Sequence, residues 1–329
     1  MTKILTADDA VANRALAAFG YSADASLRMI NLSENATYLI EDPGTGRNGI
    51  LRVHRENYHS AQAIESELMW LVALRAETGI DTPVAIAGRD GSHVVTMDNE
   101  GQERHVVLFE MINGIEPDEA TICADDFGTL GELTARLHEH AKKWTFPANF
   151  ERFSWDWTHT LGVEPRWGRW QDGIGISDSN VPLLAKAAKL IRTRLEAFGS
   201  GPDRFGLVHA DLRLANLLVD GDRVNVIDFD DAGFSWFLYD FGTAVSFIED
   251  DPRLGEWQSA WVEGYRRRAK ISAEEESMLS TFVMLRRFML VAWLGSHSHS
   301  REVLSKGPRY ADGTCELAER YLSSSGLSL

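Results

Sequence analysis

Within "GLVHADLRLANLLVDGDRVNVIDFDDAG", residues 206–233, a small set of polar side chains stands in an order that could do chemistry: His209, Asp211, Asn216 and Asp228. A carboxylate such as Asp211 can take the proton of an attacking hydroxyl. The oxygens of Asn216 and of Asp228, twelve residues further on, suit a hard cation such as magnesium. A proton acceptor beside oxygen ligands for a cation is what phosphoryl transfer asks of a protein, because most of its catalysis is positioning and charge neutralisation. His209 reads as a pin for the loop backbone rather than as a base, since the neighbouring carboxylate already fills that task.

Those residues need rigid supports, and the flanking sequence supplies them. Leu207-Val208 and Leu217-Leu218-Val219 bracket the first group, while Val224, Val226 and Ile227 lead into the second, so strands meet a loop here. Upstream, Thr6 and Asp9 form a capping-box pattern ahead of an alanine-rich helix that ends at Phe19-Gly20. "ASLRMINL", "ATYLIED", "GILRVHR", "SHVVTMD" and "RHVVLFEMI" have strand composition, and "PGTGRNG" makes a hairpin turn between the second and third. From Ser60 to about Ala76, Ile64, Leu68, Leu71, Val72 and Leu74 recur at helical spacing. Beyond Gly114 helices dominate: "DDFGTLGELTARLHEHAKKW", "NVPLLAKAAKLIRTRLEAF", "LGEWQSAWVEGYRRRAK" and "SAEEESMLSTFVMLRRFMLVAWLGSH". No repeat or low-complexity tract interrupts them.

Composition narrows the classes. The chain has 329 residues, 44% of them hydrophobic, enough for a substantial core and two lobes of one enzyme. With 33 basic against 49 acidic side chains its formal charge is -16, which argues against a sequence-independent grip on nucleic acid or on an anionic membrane. Cys123 and Cys315 have neither disulfide nor zinc spacing, and the opening residues lack a cationic-then-apolar signal, so a cytoplasmic location is expected. The most apolar stretch, "FVMLRRFMLVAWLG", carries Arg286 and Arg287 in its middle and reads as a buried helix rather than a membrane span.

H-A-D-L-R-L-A-N fits the kinase catalytic-loop pattern H-x-D-L-x-x-x-N, and D-F-D follows it. Together with the strand-rich first part, this gives an α+β, bilobal, protein-kinase-like fold. A nucleotide-binding lobe over 1–112 would hold a five-stranded antiparallel sheet and one long helix. A hinge would lie near 107–114, and a mainly helical lobe over 113–329 would carry the catalytic loop, 207–231, and the substrate pocket. "LVHADLRLANLLV", "VIDFDDAGFSWFLYDFGTA", "LGELTARLHEH" and "LRVHRENYHSAQAIESELMWL" resemble the motifs of the aminoglycoside phosphotransferase and choline kinase family. Within it the chain is most similar to the bacterial branch of type II homoserine kinases and stress-response Ser/Thr kinases.

The resemblance implies ATP and Mg2+ as cofactors and a small-molecule hydroxyl as acceptor. It makes Asp211 the catalytic base, Asn216 and Asp228 the magnesium ligands, and Glu67 the partner of the third-strand cation. That cation departs from the usual lysine: here it is Arg52, which can clamp phosphate through two nitrogens. The phosphate loop, "NLSENATY", has no glycine, leaving Ser33, Glu34, Asn35 and Ala36 to cover the phosphates. "VLFEMING" resembles the adenine-binding hinge, with Glu110 and Met111 as contacts. Asp228 is followed by Phe-Asp rather than Phe-Gly, and no A-P-E lies downstream, so a eukaryotic-type activation segment is not expected.

Other features keep two readings. Asp230 and Asp231 either cap a turn or touch metal or substrate, and Asp240 in "YDFGTA" resembles a structural aspartate that braces the catalytic loop. "HEH" at 138–140 and "SHSHS" at 296–300 lack supporting ligands for a metal. Trp155, Trp157, Trp167 and Trp170, interleaved with Arg152, Arg166 and Arg169, either wall a substrate pocket or pack an insert. Arg286 and Arg287 need a carboxylate, from Asp231, Asp240 or the substrate, because an unpaired buried charge costs several kcal/mol. Four functions compete: a small-metabolite kinase acting on an amino acid, amino alcohol or aminoglycoside-like hydroxyl, a protein Ser/Thr kinase, a non-catalytic nucleotide-binding scaffold, and a metal-dependent hydrolase.

Overall fold

A computed structural model describes residues 6–32, 35–221, 223–296, 305–307 and 309–324. It divides into two compact units, one built from Met1–Gly114, Phe146–Arg152 and Asp220–Asp230, the other from Ile115–Thr145, Phe153–Val219 and Asp231–Leu329.

The first unit opens with α1 (Ala7–Ala18), whose N-cap Thr6 accepts from the Asp9 N–H while the Asp9 side chain accepts from that of Thr6. β1 (Ser26–Leu32), β2 (Ala36–Asp42) and β3 (Arg47–Val53) follow, then α2 (Ala61–Thr78). α2 is capped by the Ser60 hydroxyl and stopped by Gly79, which turns left-handed at φ 68. β4 (Ala85–Ile86), β5 (Val95–Asn99) and β6 (Gln102–Phe109) complete an antiparallel sheet in the order β1-β2-β3-β6-β4, with β5 also on β6. All five strands expected from the sequence are present, and the two-residue β4 adds a sixth. The sheet's pleat sorts its side chains. Tyr38, Ile40, Leu51, Val53, Val106 and Leu108 pack with Val11, Ala12, Ala15, Leu16 and Phe19 from the α1 segment. Alternation sends Arg52, paired with Thr37 and Val107, to the opposite face. Val72 keeps the helical spacing of α2 yet is 58% exposed, so it lies off the core. β9 (Arg223–Val226) belongs to this unit.

In the second unit, α3 (Ala124–Lys143) packs on α7 (Leu254–Arg266). The approach is close enough that a Cβ on Gly264 would meet the Gly128 carbonyl at 1.9 Å, and one on Gly131 the Trp261 carbonyl at 2.1 Å. The short α4 (Trp157–Thr160), α5 (Val181–Phe198) and β7 (Phe205–Val208) come between, followed by β8 (Leu217–Asp220) and β10 (Gly233–Trp236). β7 pairs antiparallel with β10, placing Val208 opposite Gly233. α6 (Tyr239–Ala244) lies on α8 (Ala273–Ser296), and α9 (Arg309–Ser324) packs against α5 and α8. Among the described residues α8 alone is long and apolar enough to cross a membrane, and 89% of its apolar window is buried inside the protein. The core-helix reading of "FVMLRRFMLVAWLG" therefore holds.

Candidate active site

The first unit assembles a charge cluster around β3. Arg52 is buried, and its Nη2 donates to both Glu67 carboxylate oxygens at 2.7 Å. Glu67 reaches it from the buried face of α2. The other end of the fork, Nη1, lies 3.5 Å from Asp228 and 4.0 Å from Asp230. The guanidinium also stacks over the Phe109 ring at 5.0 Å. Burial works against its charge, but Glu67, Asp230 and Asp228 outweigh that and raise its pKa further. Asp228 adopts the left-handed region at φ 58, which aspartate tolerates, and its side chain is 40% exposed, whereas that of Asp230 is 6% exposed.

Asp230 is flanked by His54 Nδ1 at 3.4 Å and His59 Nε2 at 3.5 Å, contacts too long to be strong hydrogen bonds. Burial opposes its ionisation, but His59, His54 and Arg52 prevail and hold the carboxyl well below the usual range. Burial, aided by the Arg52 charge, pushes His54 down to about 4. Arg152 donates to the Asp230 carbonyl and, at 3.0 Å, to the Ala63 carbonyl in α2.

The residues that the sequence suggests for a phosphate loop and a hinge also lie in this unit. Ser33 and Glu34 fall outside the described residues. Asn35 is buried, and its Oδ1 accepts from the Arg55 N–H at 3.0 Å. Glu110 is exposed, with its N–H donated to the Val84 carbonyl at 2.9 Å, and Met111 is 44% exposed.

The second unit holds His209, Asp211 and Asn216, the loop that the sequence suggests as catalytic. Asp240, fully buried in α6, accepts from the Ala210 N–H at 2.8 Å through Oδ1 and from the His209 N–H at 3.2 Å through Oδ2. His138 Nε2 lies 3.1 Å from the same Oδ2, and its Nδ1 lies 3.0 Å from the Tyr265 hydroxyl. Burial lowers the His138 pKa against the pull of Asp240. A neutral ring that donates to the carboxylate and accepts from the phenol fits both contacts. These bonds hold Ala210 at φ 64. The His209 ring accepts the Asp211 N–H at 3.2 Å, and the Thr243 hydroxyl accepts the Leu212 N–H at 3.0 Å.

Asp211 thus emerges on a braced turn with partners for both carboxylate oxygens. Asn216 Nδ2 donates to its Oδ2 at 2.7 Å and to its backbone carbonyl at 2.8 Å, and Arg213 Nε lies 3.4 Å from Oδ2. Arg286 Nη2 pairs with Oδ1. Arg286 is itself fixed by the Ser246 hydroxyl at 3.0 Å, the Tyr239 hydroxyl at 3.3 Å and the Ala210 carbonyl at 3.4 Å, and it lies over the Trp167 ring at 5.0 Å. Burial raises the Tyr239 pKa to about 12, though Arg286 beside it pulls the other way.

Arg287, the next residue on α8, is committed to packing. It meets Glu249 at 2.7 Å, the Thr314 hydroxyl at 2.8 Å and the Tyr310 carbonyl at 2.9 Å. The carboxylates paired with these two arginines are therefore Asp211 and Glu249, in place of the Asp231 or Asp240 suggested by the sequence. Trp155 is 1% exposed and donates Nε1–H to the Asp231 carbonyl at 2.8 Å, while its ring lies 5.0 Å from that of Trp167. Asp231 is buried as well.

Each unit offers one oxygen donor of the kind a hard cation takes. The Asn216 nitrogen is spent on Asp211, which turns the choice of ligand atom to Oδ1, and Asp228 is a partly exposed carboxylate. Among the described residues no three His, Cys, Asp or Glu side chains cluster as a protein-only metal site. Sequence reasoning missed His54, His59, Tyr239 and Ser246 and gave His138 no structural role. His54 and His59 in "LRVHRENYHSAQAIESELMWL", His138 in "LGELTARLHEH" and Tyr239 in "VIDFDDAGFSWFLYDFGTA" stood among the motifs of the resemblance, whereas Ser246 lay outside them.

Residues 29–276 match the phosphotransferase enzyme family. The chain is 24% identical to the amicoumacin kinase of Bacillus subtilis (strain 168) over 299 residues, 87% of this chain and 84% of that protein. It is 58% identical to a microcompartment-associated aminopropanol kinase of solved structure, with a TM-score of 0.89 over 97% of this chain and 99% of that one. An amicoumacin kinase solved in complex with AMP-PNP, Ca2+ and Ami shares the fold at a TM-score of 0.77 and 20% identity, covering 99% of this chain and 97% of that one.

Proposed function

Because this chain belongs to the phosphotransferase enzyme family, we propose that it moves the γ-phosphoryl group of ATP, with Mg2+, onto the hydroxyl of a small amino alcohol of the aminopropanol type. It is a kinase of small metabolites. The observation that carries the choice of acceptor is the 58% identity to the aminopropanol kinase, sustained over nearly the full length of both chains.

Each residue then has a role. Asp211, held through both oxygens, orients the acceptor hydroxyl and takes its proton as the bond to phosphorus forms. Asn216 Oδ1 and Asp228 would hold the cation, which when bound would neutralise charge on the phosphate oxygens. Glu67 anchors Arg52, whose Nη1 end serves the phosphates. With its N–H taken by Val84, Glu110 has its carbonyl to offer adenine, and Met111 contributes backbone. Ser33 and Asn35 cover the phosphates. Arg286 fixes Asp211, whereas Trp155 and Asp231 shape the acceptor site. Arg287, packed against Glu249 and Tyr310, takes no part in substrate binding.

The test is ADP release with ATP and Mg2+ over a panel of amino alcohols, with an alcohol lacking the amine and an amine lacking the hydroxyl as controls. Turnover should need both groups. In Asp211→Ala it should fall by roughly 10²–10⁴-fold, while calorimetric affinity for Mg-ATP hardly changes. Absence of acceptor-stimulated ADP release across the panel, or full turnover by Asp211→Ala, would overturn the reading.

A further inference from the structure

Two of the places where this sequence departs from the kinase pattern, arginine at 52 and aspartate at 230, fall side by side in the structure. Resting on the reading that Arg52 serves the phosphates, we infer that Asp230 is a positioning residue for Arg52: the buried carboxylate steadies the free end of an arginine fork whose other end is tied to Glu67.

A lysine on the third strand carries one compact charge, and Glu67 alone would hold it. Arginine carries two ends. Nη2 is taken by both oxygens of Glu67 at 2.7 Å, so a guanidinium held there alone could still swing its Nη1 end. Nη1 instead faces two carboxylates, Asp228 at 3.5 Å and Asp230 at 4.0 Å. These differ in kind. The Asp228 side chain is 40% exposed and is assigned to the cation, whereas that of Asp230 is 6% exposed.

The Asp230 side chain is also enclosed and its backbone tied down. His54 and His59 stand against its two oxygens at 3.4 and 3.5 Å, and Arg152 ties its carbonyl to α2, the helix that carries Glu67. An acid that merely capped a turn would not need burial among two imidazoles and a guanidinium. Taking a carboxylate out of water is costly, and a charge-free residue would fill the space more cheaply. The arrangement makes sense when that charge directs Nη1.

The test is a double-mutant cycle of Arg52→Lys, Asp230→Asn and the double variant, read as kcat/KM for ATP and, independently, as affinity for ATP and for adenosine. Each single variant should lose about tenfold in kcat/KM and in ATP affinity, with adenosine affinity unchanged. The double variant should be no worse than the poorer single one, a coupling of about tenfold, because lysine no longer needs the second acid. Losses that multiply in the double variant would overturn the pairing while leaving the kinase reading intact. So would an Asp230→Asn loss shared equally by adenosine, the mark of a merely structural residue. If the wild type bound ATP but turned over no acceptor, the kinase reading would fail, and the affinity cycle would still decide the pairing. Should Asp230→Asn not fold, Asp230→Ser removes the charge with a smaller side chain and takes its place in the cycle, with the same coupling expected.

Discussion

Asp240→Asn separates bracing of the catalytic loop from chemistry. The wild-type carboxylate accepts three donors: the Ala210 N–H at 2.8 Å, the His209 N–H at 3.2 Å and His138 at 3.1 Å. An amide has one oxygen and one nitrogen, so in either orientation its NH2 faces at least one backbone N–H. Losing a hydrogen bond to a charged acceptor costs about 1.5–3 kcal/mol, and stranding a buried donor adds about 1–3 kcal/mol. A destabilisation of about 3 kcal/mol, the lower end of that sum, lowers Tm by roughly 4 °C in a chain of this size. The kinetic effect comes from Ala210. It is held at φ 64, a conformation that costs a non-glycine residue about 1–2 kcal/mol. Once its N–H bond is lost, Ala210 relaxes and carries Asp211 with it. A shift of about 1 Å at a catalytic group costs on the order of 10²-fold in rate. Scanning calorimetry and ADP release on the best acceptor measure both effects. A Tm within 1 °C of wild type together with turnover within threefold would refute the brace. An unchanged Tm with lost turnover would move Asp240 into the chemistry.

Two further predictions concern burial. Arg287→Met should leave Glu249 buried without its ion-pair partner and cost about 3–5 kcal/mol in urea unfolding, while kcat of the folded enzyme stays within about twofold; a kcat loss as large as that of Asp211→Ala would place Arg287 in the site after all. Stability should be flat above pH 6.5 and fall as pH drops toward 4, because the unfolded chain protonates His54 near 6.5 while the folded protein resists until about 4, worth up to about 3 kcal/mol. Urea midpoints that do not fall between pH 7 and 5, or a His54→Asn variant that keeps the whole slope, would contradict this.

What was legible in the sequence was local. The Thr6–Asp9 capping box, the helical spacing that opens near Ser60 and the strand composition of β2, β3 and β6 are decided by residues a few positions apart, and the structure shows each element. β4 has two residues, too few for alternation to register. α6 is six residues containing a glycine, and packing permits it: a Cβ on Gly242 would lie 2.5 Å from the Phe282 carbonyl. α9 was passed over although it buries Tyr310, Leu317 and Tyr321 along one face. The same division runs through the site. His209, Asp211 and Asn216 share one loop and announce themselves by spacing. Their support comes from further along the chain: Asp240 lies 31 residues from His209, and His138, which braces Asp240, lies 102 residues from it, so no short window of sequence carries such a pairing.

The two adjacent arginines of α8 show how far physical reasoning from sequence reaches. Desolvation requires that a guanidinium inside an apolar helix find a carboxylate, and both do. The identity of the partners depends on direction. Consecutive helical residues point about 100° apart, so one helix can serve two neighbours: Arg287 turns to Glu249 and the α9 residues Tyr310 and Thr314, while Arg286 turns to the catalytic loop. That placement has a kinetic meaning. Arg286 has lost its own freedom to Ser246, Tyr239 and Trp167, so it holds Asp211 Oδ1 without ordering anything when substrate arrives. Asn216 does the same for Oδ2. On the proposed role of Asp211 as base, its rotamer entropy is spent during folding rather than in the transition state, which is where preorganisation lowers a barrier.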